Sequence, residues 1–289
     1  MTGCDNPGLS NEDHRSRPAP QEEARAPAFI RERGTATVYF YVLGNLEVRF
    51  SARRIPITAP KQRVVLATLL LDANNEVPSD HLIRYIWDGR PPAAAQTTLQ
   101  SYVYRLRRLL RPVRGVELQT GSDGYVLSVD PGAVDLEVFR QRAAEARELA
   151  KHSLGTAVEA LRGALAFWRG NALSGIPGEL IRQEARFLEG ERIAVYEELF
   201  NAEIELGNHR QIIPELQKLV SANPFHELLR AQLMLVLYRS GRQADALHNY
   251  SVLRRRLHDE LGIEPGPDLR ELQKAILGQV PSTRIMLPH

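Results

Sequence analysis

The 289-residue sequence predicts a mainly α-helical chain with a small β part, and three observations predict it. Alternating β-formers and a later pair of short extended runs bracket three short amphipathic helices within residues 36–130. From Asp135 to Leu277 the pattern is helix upon helix with no strand signal. Within that stretch the register repeats after 34 residues, so that LGNHRQIIPELQKL overlays SGRQADALHNYSVL. Gly207 falls over Gly241, Ile212 over Ala246, Ile213 over Leu247, Leu216 over Tyr250 and Leu219 over Leu253. Such a period, alternating small and large apolar residues, marks tetratricopeptide-like helical pairs. AVEALRGALAFWRG is a candidate for an earlier pair, because stacked pairs need about three units to bury their stripes.

Each element has a local cause. Residues 1–35, centred on SRPAPQEEARAP, mix Pro, Ala and charge without periodicity, the composition of a disordered tail. Structure is expected to start near Thr37, where VYFYVLGNLEVRF alternates β-formers about Gly44–Asn45 as a hairpin does. A further extended piece falls at 54–58. Pro60 suits the first turn of a helix striped by Val64, Val65, Ala67, Leu69, Leu70 and Leu71, which Asn74–Asn75 end. Glu76-Val77-Pro78 has room for a strand fragment only. Ser79 is the expected N-cap of a second helix that stops at Gly89. After Pro91 and Pro92 a longer helix runs AAAQTTLQSYVYRLRRLL to Pro112. GVELQTGSDGYVLSVD then reads as a hairpin in which Gly124 supplies a turn conformation and Tyr125 packs beneath. Three short helices closed by a hairpin make a winged helix-turn-helix over 36–130, with the third helix as its recognition helix. The tetratricopeptide-like all-α part spans 131–278, and 279–289 is a C-terminal tail.

Composition narrows the function. The chain has 37 basic and 35 acidic residues. Residues 1–35 carry 5 basic and 6 acidic, residues 36–130 carry 12 and 8, and residues 131–289 carry 20 and 21. The excess is narrower still: no acid lies between Asp88 and Glu117, whereas Arg90, Arg105, Arg107, Arg108, Arg111 and Arg114 do. A stripe of Arg is a footprint for phosphate, although a solvated helix face has the same composition. The single Cys4 excludes a disulfide framework and thiolate-pair zinc sites, and fits a reducing compartment. No apolar run reaches the roughly 18 residues of a membrane span, and the polar N-terminus is no secretory signal, so a cytoplasmic protein is expected. The eight His are scattered, without H-E-x-x-H or G-x-S-x-G, and the carboxylates of 179–205 read as a solvated helix face. No catalytic residues, metal or cofactor are expected.

On the third helix Leu99, Val103, Leu106 and Leu110 share one face, which must be the core side. Thr97, Ser101 and Arg108 lie opposite, flanked by Thr98 and Arg105 on one edge and by Gln100, Tyr104, Arg107 and Arg111 on the other. Arg can pair bidentately with a guanine edge, and Thr and Ser offer hydroxyls to phosphates or methyls to thymine. The hairpin and the two preceding helices favour duplex DNA as the partner. Ser122 in the hairpin and Lys61 at the start of the first helix are further backbone candidates, although a plain role, as a surface lysine in the case of Lys61, is the preferred reading.

Residues 38–130 resemble the winged helix of OmpR-type response regulators. From about Val42 to Leu277 the chain is similar to the Streptomyces antibiotic regulatory protein (SARP) family. The motifs that carry this are APKQRVVLATLLLDANNEV, TTLQSYVYRLRRLLRP, GYVLSVDPGAVDLEVF, ALAFWRG and LMLVLYRSGRQADALHNYSVLRRRLHDELGIEPGPDLREL. The resemblance implies a bacterial transcriptional activation domain in the second half. It also implies activation of gene clusters for secondary metabolites such as antibiotics, through homodimers on direct repeats that recruit RNA polymerase and its sigma factor. By position it places recognition contacts on Thr98, Ser101, Arg105 and Arg107, the last toward a flanking phosphate. The Trp87–Pro92 loop corresponds to the stretch that meets polymerase, making Trp87, Asp88 and Arg90 candidates, with a core role for Trp87 equally open. A receiver domain is not expected in 35 residues, no G-x-x-x-x-G-K-[ST] nucleotide loop occurs, and nothing structured is expected after Leu277. Two other readings fit the residues: an interaction scaffold in which the repeats do the work, and a regulator whose repeat groove takes a small ligand.

Overall fold

A computed structural model describes residues 38–51, 53–281 and 284–285. The disordered-tail expectation for 1–35 and the start at Thr37 lie outside the described residues. The chain opens with an antiparallel sheet of β1 (Val38–Tyr41), β2 (Glu47–Phe50) and β3 (Arg53–Ile55), in that order, with Tyr39 opposite Arg49 and Val48 opposite Ile55. Next comes α1 (Pro60–Leu71), with its proline in the first turn, where a missing N–H leaves nothing unsatisfied. β4 (Glu76–Pro78), α2 (Ser79–Ile86), α3 (Ala95–Leu110), β5 (Val116–Thr120) and β6 (Gly124–Val129) complete a winged helix.

The strand fragment expected at 76–78 is present and pairs with β6 to make a three-stranded wing, β4-β6-β5, with Val77 opposite Tyr125. Two local expectations need correction. Ser79 is the first helical residue and not the N-cap, because its N–H donates to the Asp123 carbonyl at 3.0 Å and Pro78 takes the cap position. Gly124 is required by close approach of two strands. A Cβ there would sit 2.0 Å from the Val77 carbonyl oxygen, so the turn-conformation explanation does not apply. Tyr125 is buried beneath the wing.

The second half is helical: α4 (Asp135–Ala150), α5 (Leu154–Leu165), α6 (Glu179–Glu205), α7 (His209–Ala222), α8 (Glu227–Arg239), α9 (Gln243–Arg256) with a π-helical turn at Leu257–Leu261, and α10 (Pro267–Leu277). The 34-residue register appears as matched helix ends. Gly207 and Gly241 follow α6 and α8 with φ of +82° and +79°, a left-handed turn that glycine adopts without a Cβ penalty. Of the overlaid pairs, Ile212 with Ala246 and Leu216 with Tyr250 are buried at both positions, while Ile213 and Leu253 are buried and their counterparts Leu247 and Leu219 half-buried.

Two hydrophobic cores result. The first runs from Phe40 to Leu199 and joins Leu66, Leu99 and Leu127 of the winged helix to Phe139, Trp168 and Leu188 of the helical half. The second runs from Phe200 to Ile285. The segment beyond Leu277 therefore has structure: Ile285 is buried, its carbonyl accepts from Arg239 Nη2, and the Tyr238 hydroxyl donates to the Val280 carbonyl.

The junction is made of backbone as much as of side chains. The Phe40 N–H donates to the Ala133 carbonyl, and the N–H groups of Arg169, Leu173 and Ser174 donate to the carbonyls of Leu43, Val42 and Gly44. Asp135, almost fully buried, accepts from the N–H groups of Val42 at 2.8 Å and Leu43 at 3.1 Å. Desolvation pushes its carboxyl from 3.8 up to about 6, against those two bonds and the Arg169 guanidinium 3.7 Å away. The Arg169 guanidinium carbon sits over the Tyr41 ring, 4.0 Å from its centroid.

Candidate nucleic-acid interface

The helix α3 contains neither Gly nor Pro and is rich in Leu, Arg and Gln, all good helix formers. Its last turn carries Arg107 and Arg108, which complement the negative end of the helix dipole. Leu99, Val103, Leu106 and Leu110 are buried against α1, α2 and β5, the face read from the sequence. On the outer side Thr97, Gln100, Ser101, Tyr104, Arg105, Arg108 and Arg111 are exposed, Tyr104 to 67%. The guanidiniums of Arg105, Arg108 and Arg111 form no ion pair or side-chain hydrogen bond among the described residues. Thr98 is half-buried. Its hydroxyl donates to the Ala94 carbonyl and that of Ser101 to the Thr97 carbonyl, so both keep only acceptor lone pairs for a ligand.

Arg107 behaves differently from its neighbours. Its Nε donates to the Leu118 carbonyl at 2.7 Å, its Nη2 donates to Thr120 Oγ1 at 2.6 Å, and its guanidinium lies 5.9 Å from the Tyr125 centroid. It is a tie between helix and wing, where the resemblance had placed a phosphate contact. Beside it a groove of about 880 Å³ opens between α3 and β5, lined by Tyr104, Arg108 and Arg111 on the helix and by Glu117 and Gln119 on the hairpin. Glu117 accepts from the Gln119 amide, so the hairpin wall of the groove carries a negative charge.

Of the remaining candidates, all but Arg90 have side-chain partners within the chain. The Ser122 hydroxyl donates to the Glu76 carboxylate at 3.1 Å, and Glu76 also accepts the N–H groups of Asp123 and Gly124 at 2.7 and 2.8 Å. The Asp123 N–H in the first place, with Ser122 and Gly124, holds the Glu76 carboxyl below its ordinary range. A fixed negative charge at the wing tip argues against Ser122 as a phosphate donor. Lys61 Nζ rests 4.6 Å from the Trp87 ring centroid, a cation–π contact. Trp87 is half-buried and packs against the first core. Asp88 Oδ1 accepts from the N–H groups of Glu179 at 2.8 Å and Leu180 at 3.2 Å, capping the start of α6. Arg90 is exposed, with no side-chain partner among the described residues. Arg111 is the residue that sequence reasoning left on the margin, although the acid-free stripe already contained it.

The carboxylates of α6 are likewise not a bare solvated face. Glu191, Glu198 and Glu203 pair with Arg140, Arg147 and Arg162 of α4 and α5, and the Tyr85 hydroxyl donates to Glu184. Among the described residues no group of three His, Cys, Asp or Glu side chains is placed to hold a metal ion, and no helix is long and apolar enough to cross a membrane.

Comparison with known proteins agrees with this geometry. Residues 54–127 match the family described as transcriptional regulatory protein, C terminal, and residues 134–277 match the bacterial transcriptional activator domain. The chain is 37% identical over 246 residues to the regulatory protein DnrI of Streptomyces peucetius, covering 82% of this chain and 90% of DnrI. It is 38% identical over 264 residues to the regulatory protein AfsR of Streptomyces coelicolor, covering 90% of this chain but only 26% of that longer relative. The solved structure of Mycobacterium tuberculosis EmbR in complex with a low affinity phosphopeptide superposes with a TM-score of 0.79 at 34% identity, over 86% of this chain and 66% of EmbR. A winged helix with an open basic recognition helix, followed by an activator-type helical domain, defines a bacterial transcriptional regulator. The chain belongs to the SARP family.

Proposed function

We propose that this regulator is a sequence-specific, DNA-binding activator for a secondary-metabolite gene cluster such as one for an antibiotic, acting in the cytoplasm at the nucleoid. Two protomers would occupy direct repeats near a promoter and recruit RNA polymerase with its sigma factor. The observation that carries the DNA reading is the outer face of α3, where Arg105, Arg108 and Arg111 are exposed and unpaired among the described residues. A helix about 10–12 Å across fits a major groove about 12 Å wide. Arg105 then reads a base edge, Arg108 and Arg111 hold phosphates, and Thr97, Thr98, Ser101 and Tyr104 line the same approach. Arg107 acts at one remove, by fixing the wing against the helix. The free side of the loop 87–92, which includes the exposed Arg90, is the polymerase-facing element.

The test is binding of the full chain to the duplex it selects from a random pool. Replacing Arg105 by Ala should cost roughly 1–3 kcal/mol and relax preference at one base pair, while Arg108→Ala should weaken all sequences alike. Affinity should fall steeply with salt as counterions are released. Duplex binding indifferent to salt, or an Arg105→Ala chain with intact affinity and preference, would sink the reading and favour the scaffold.

A further inference from the structure

We propose that Asp88 is a positioning residue: it latches the α2–α3 loop onto the N-terminus of α6, so that the helical half holds the polymerase-facing loop in its working shape. This rests on the activator reading above. It gives Asp88, exposed though it is, a partner within the chain in place of the polymerase contact.

The geometry is specific. α2 ends with the Gly89 N–H bonded back to the Arg84 carbonyl at 2.9 Å, with Asp88 at φ +49° and Gly89 at φ +78°. Two consecutive left-handed residues turn the chain sharply and aim the Asp88 side chain away from its own helix. Asp and Asn tolerate that conformation better than most residues. The target is the first turn of α6, whose own N-cap position is Gly178 and so has no side chain to offer. Orphan N–H groups at a helix start need an acceptor. Asp88 supplies it from 91 residues away, through Glu179 N and Leu180 N. Gly178 makes room for it: its φ is +120°, and a Cβ there would lie 3.3 Å from Asp88 Oδ1.

The latch does not act alone on this loop. On one side Trp87 is held by Lys61 of α1, and one turn earlier Tyr85 is bonded to Glu184 of α6. Residues 85, 87 and 88 thus have side-chain partners, whereas Arg90, exposed like Asp88, has none among the described residues. The fastened part fixes the direction in which the exposed part is presented. Freeing Asp88 should leave α3 and its contacts with DNA alone and disorder the presentation of Arg90.

The experiment uses the full-length protein in three variants. Asp88→Gly keeps the left-handed backbone and removes the acceptor, while Asp88→Asn keeps both but removes the charge. Glu179→Pro removes the nearer N–H donor, at a helix position where proline is favoured, and leaves the loop sequence untouched. The readouts are hydrogen exchange over 87–92 and 179–180, affinity for the selected duplex, and stimulation of purified polymerase holoenzyme from a promoter saturated with the activator. Asp88→Gly is expected to speed exchange about fivefold, as loss of a helix N-cap would, and to reduce stimulation several-fold with duplex affinity within about twofold. Asp88→Asn should match the wild type, and Glu179→Pro should fall between. Faster exchange with undiminished stimulation overturns the proposal, as does an Asp88→Asn chain that keeps slow exchange but loses stimulation, since Asp88 would then act on polymerase by charge. A parallel fall in duplex affinity and stimulation overturns it as well. A wild-type chain that binds its promoter yet never stimulates transcription overturns instead the activator reading, and the latch's role falls with it.

Discussion

The outer face of α3 and the junction between the two halves treat polar groups in opposite ways. On α3, Arg105, Arg108 and Arg111 stand exposed and unpaired among the described residues. At the junction Asp135 receives two N–H groups, Arg169 stacks on Tyr41, and Asp88 caps a helix that belongs to the other half. Polar groups that a fold leaves unspent face something outside the chain, while those it consumes hold the architecture. The two kinds sit side by side in α3 itself, where Arg108 is free and Arg107 is spent on the wing.

The contrast can be broken most forcefully by removing the junction. A chain ending at Asp130 loses Asp135 and the backbone partners of Phe40, Val42, Leu43 and Gly44, and it exposes the winged-helix side of the first core. It should lose several kcal/mol of stability, as the apolar burial and the hydrogen bonds of the junction go together, and calorimetry should show a broadened or absent transition. A cooperative melt near that of the full chain would show that the winged helix stands alone.

Smaller in effect, Asp135→Ala leaves the Val42 and Leu43 N–H groups buried without an acceptor and should cost about 3 kcal/mol in urea denaturation at neutral pH. The same residue predicts a pH slope. Its carboxyl is raised from 3.8 unfolded to about 6 folded, so the folded state holds the proton more tightly. Its linkage contribution is therefore full below the unfolded value and lost as pH climbs through 6. An Asp135→Asn chain, which does not titrate there, should lack that decline in stability across the interval.

The finest comparison is within one helical turn. Arg107→Ala should lower stability by about 1–2 kcal/mol, as two hydrogen bonds to the wing are lost. Arg108→Ala should leave stability within about 0.5 kcal/mol and reduce the salt slope of duplex binding by about 1. Equal melting temperatures for the two variants would erase the distinction drawn here between free and committed arginines.

Periodicity made much of the fold readable in advance. The buried face of α3 and the matched residues of the 34-residue register follow from local spacing, and they appear where that spacing puts them. What stayed hidden depends on partners distant in sequence. A three-residue strand such as β4 has too little pattern of its own and is defined by pairing with β6. Ser122 and Asp88 look like free polar residues until Glu76, 46 positions away, and Glu179, 91 positions away, arrive beside them. Arg107 sits among arginines of the same composition, and only the path of β5 tells it apart. Gly124 suggests a torsional cause in the sequence and has a steric one in the fold, because sequence does not distinguish a glycine needed for its torsion from one needed for its missing Cβ.

The long helix α6 has a mechanical consequence. Leu199 closes the first core and the next residue, Phe200, opens the second, so one uninterrupted rod of 27 residues is embedded in both. At 1.5 Å per residue it is about 40 Å long, and a tilt of about 5° about one end would carry the other through roughly 3.5 Å. A displacement of that size would part Glu179 and Leu180 from Asp88, so the stiffness of one helix ties the set of the second core to the α2–α3 loop.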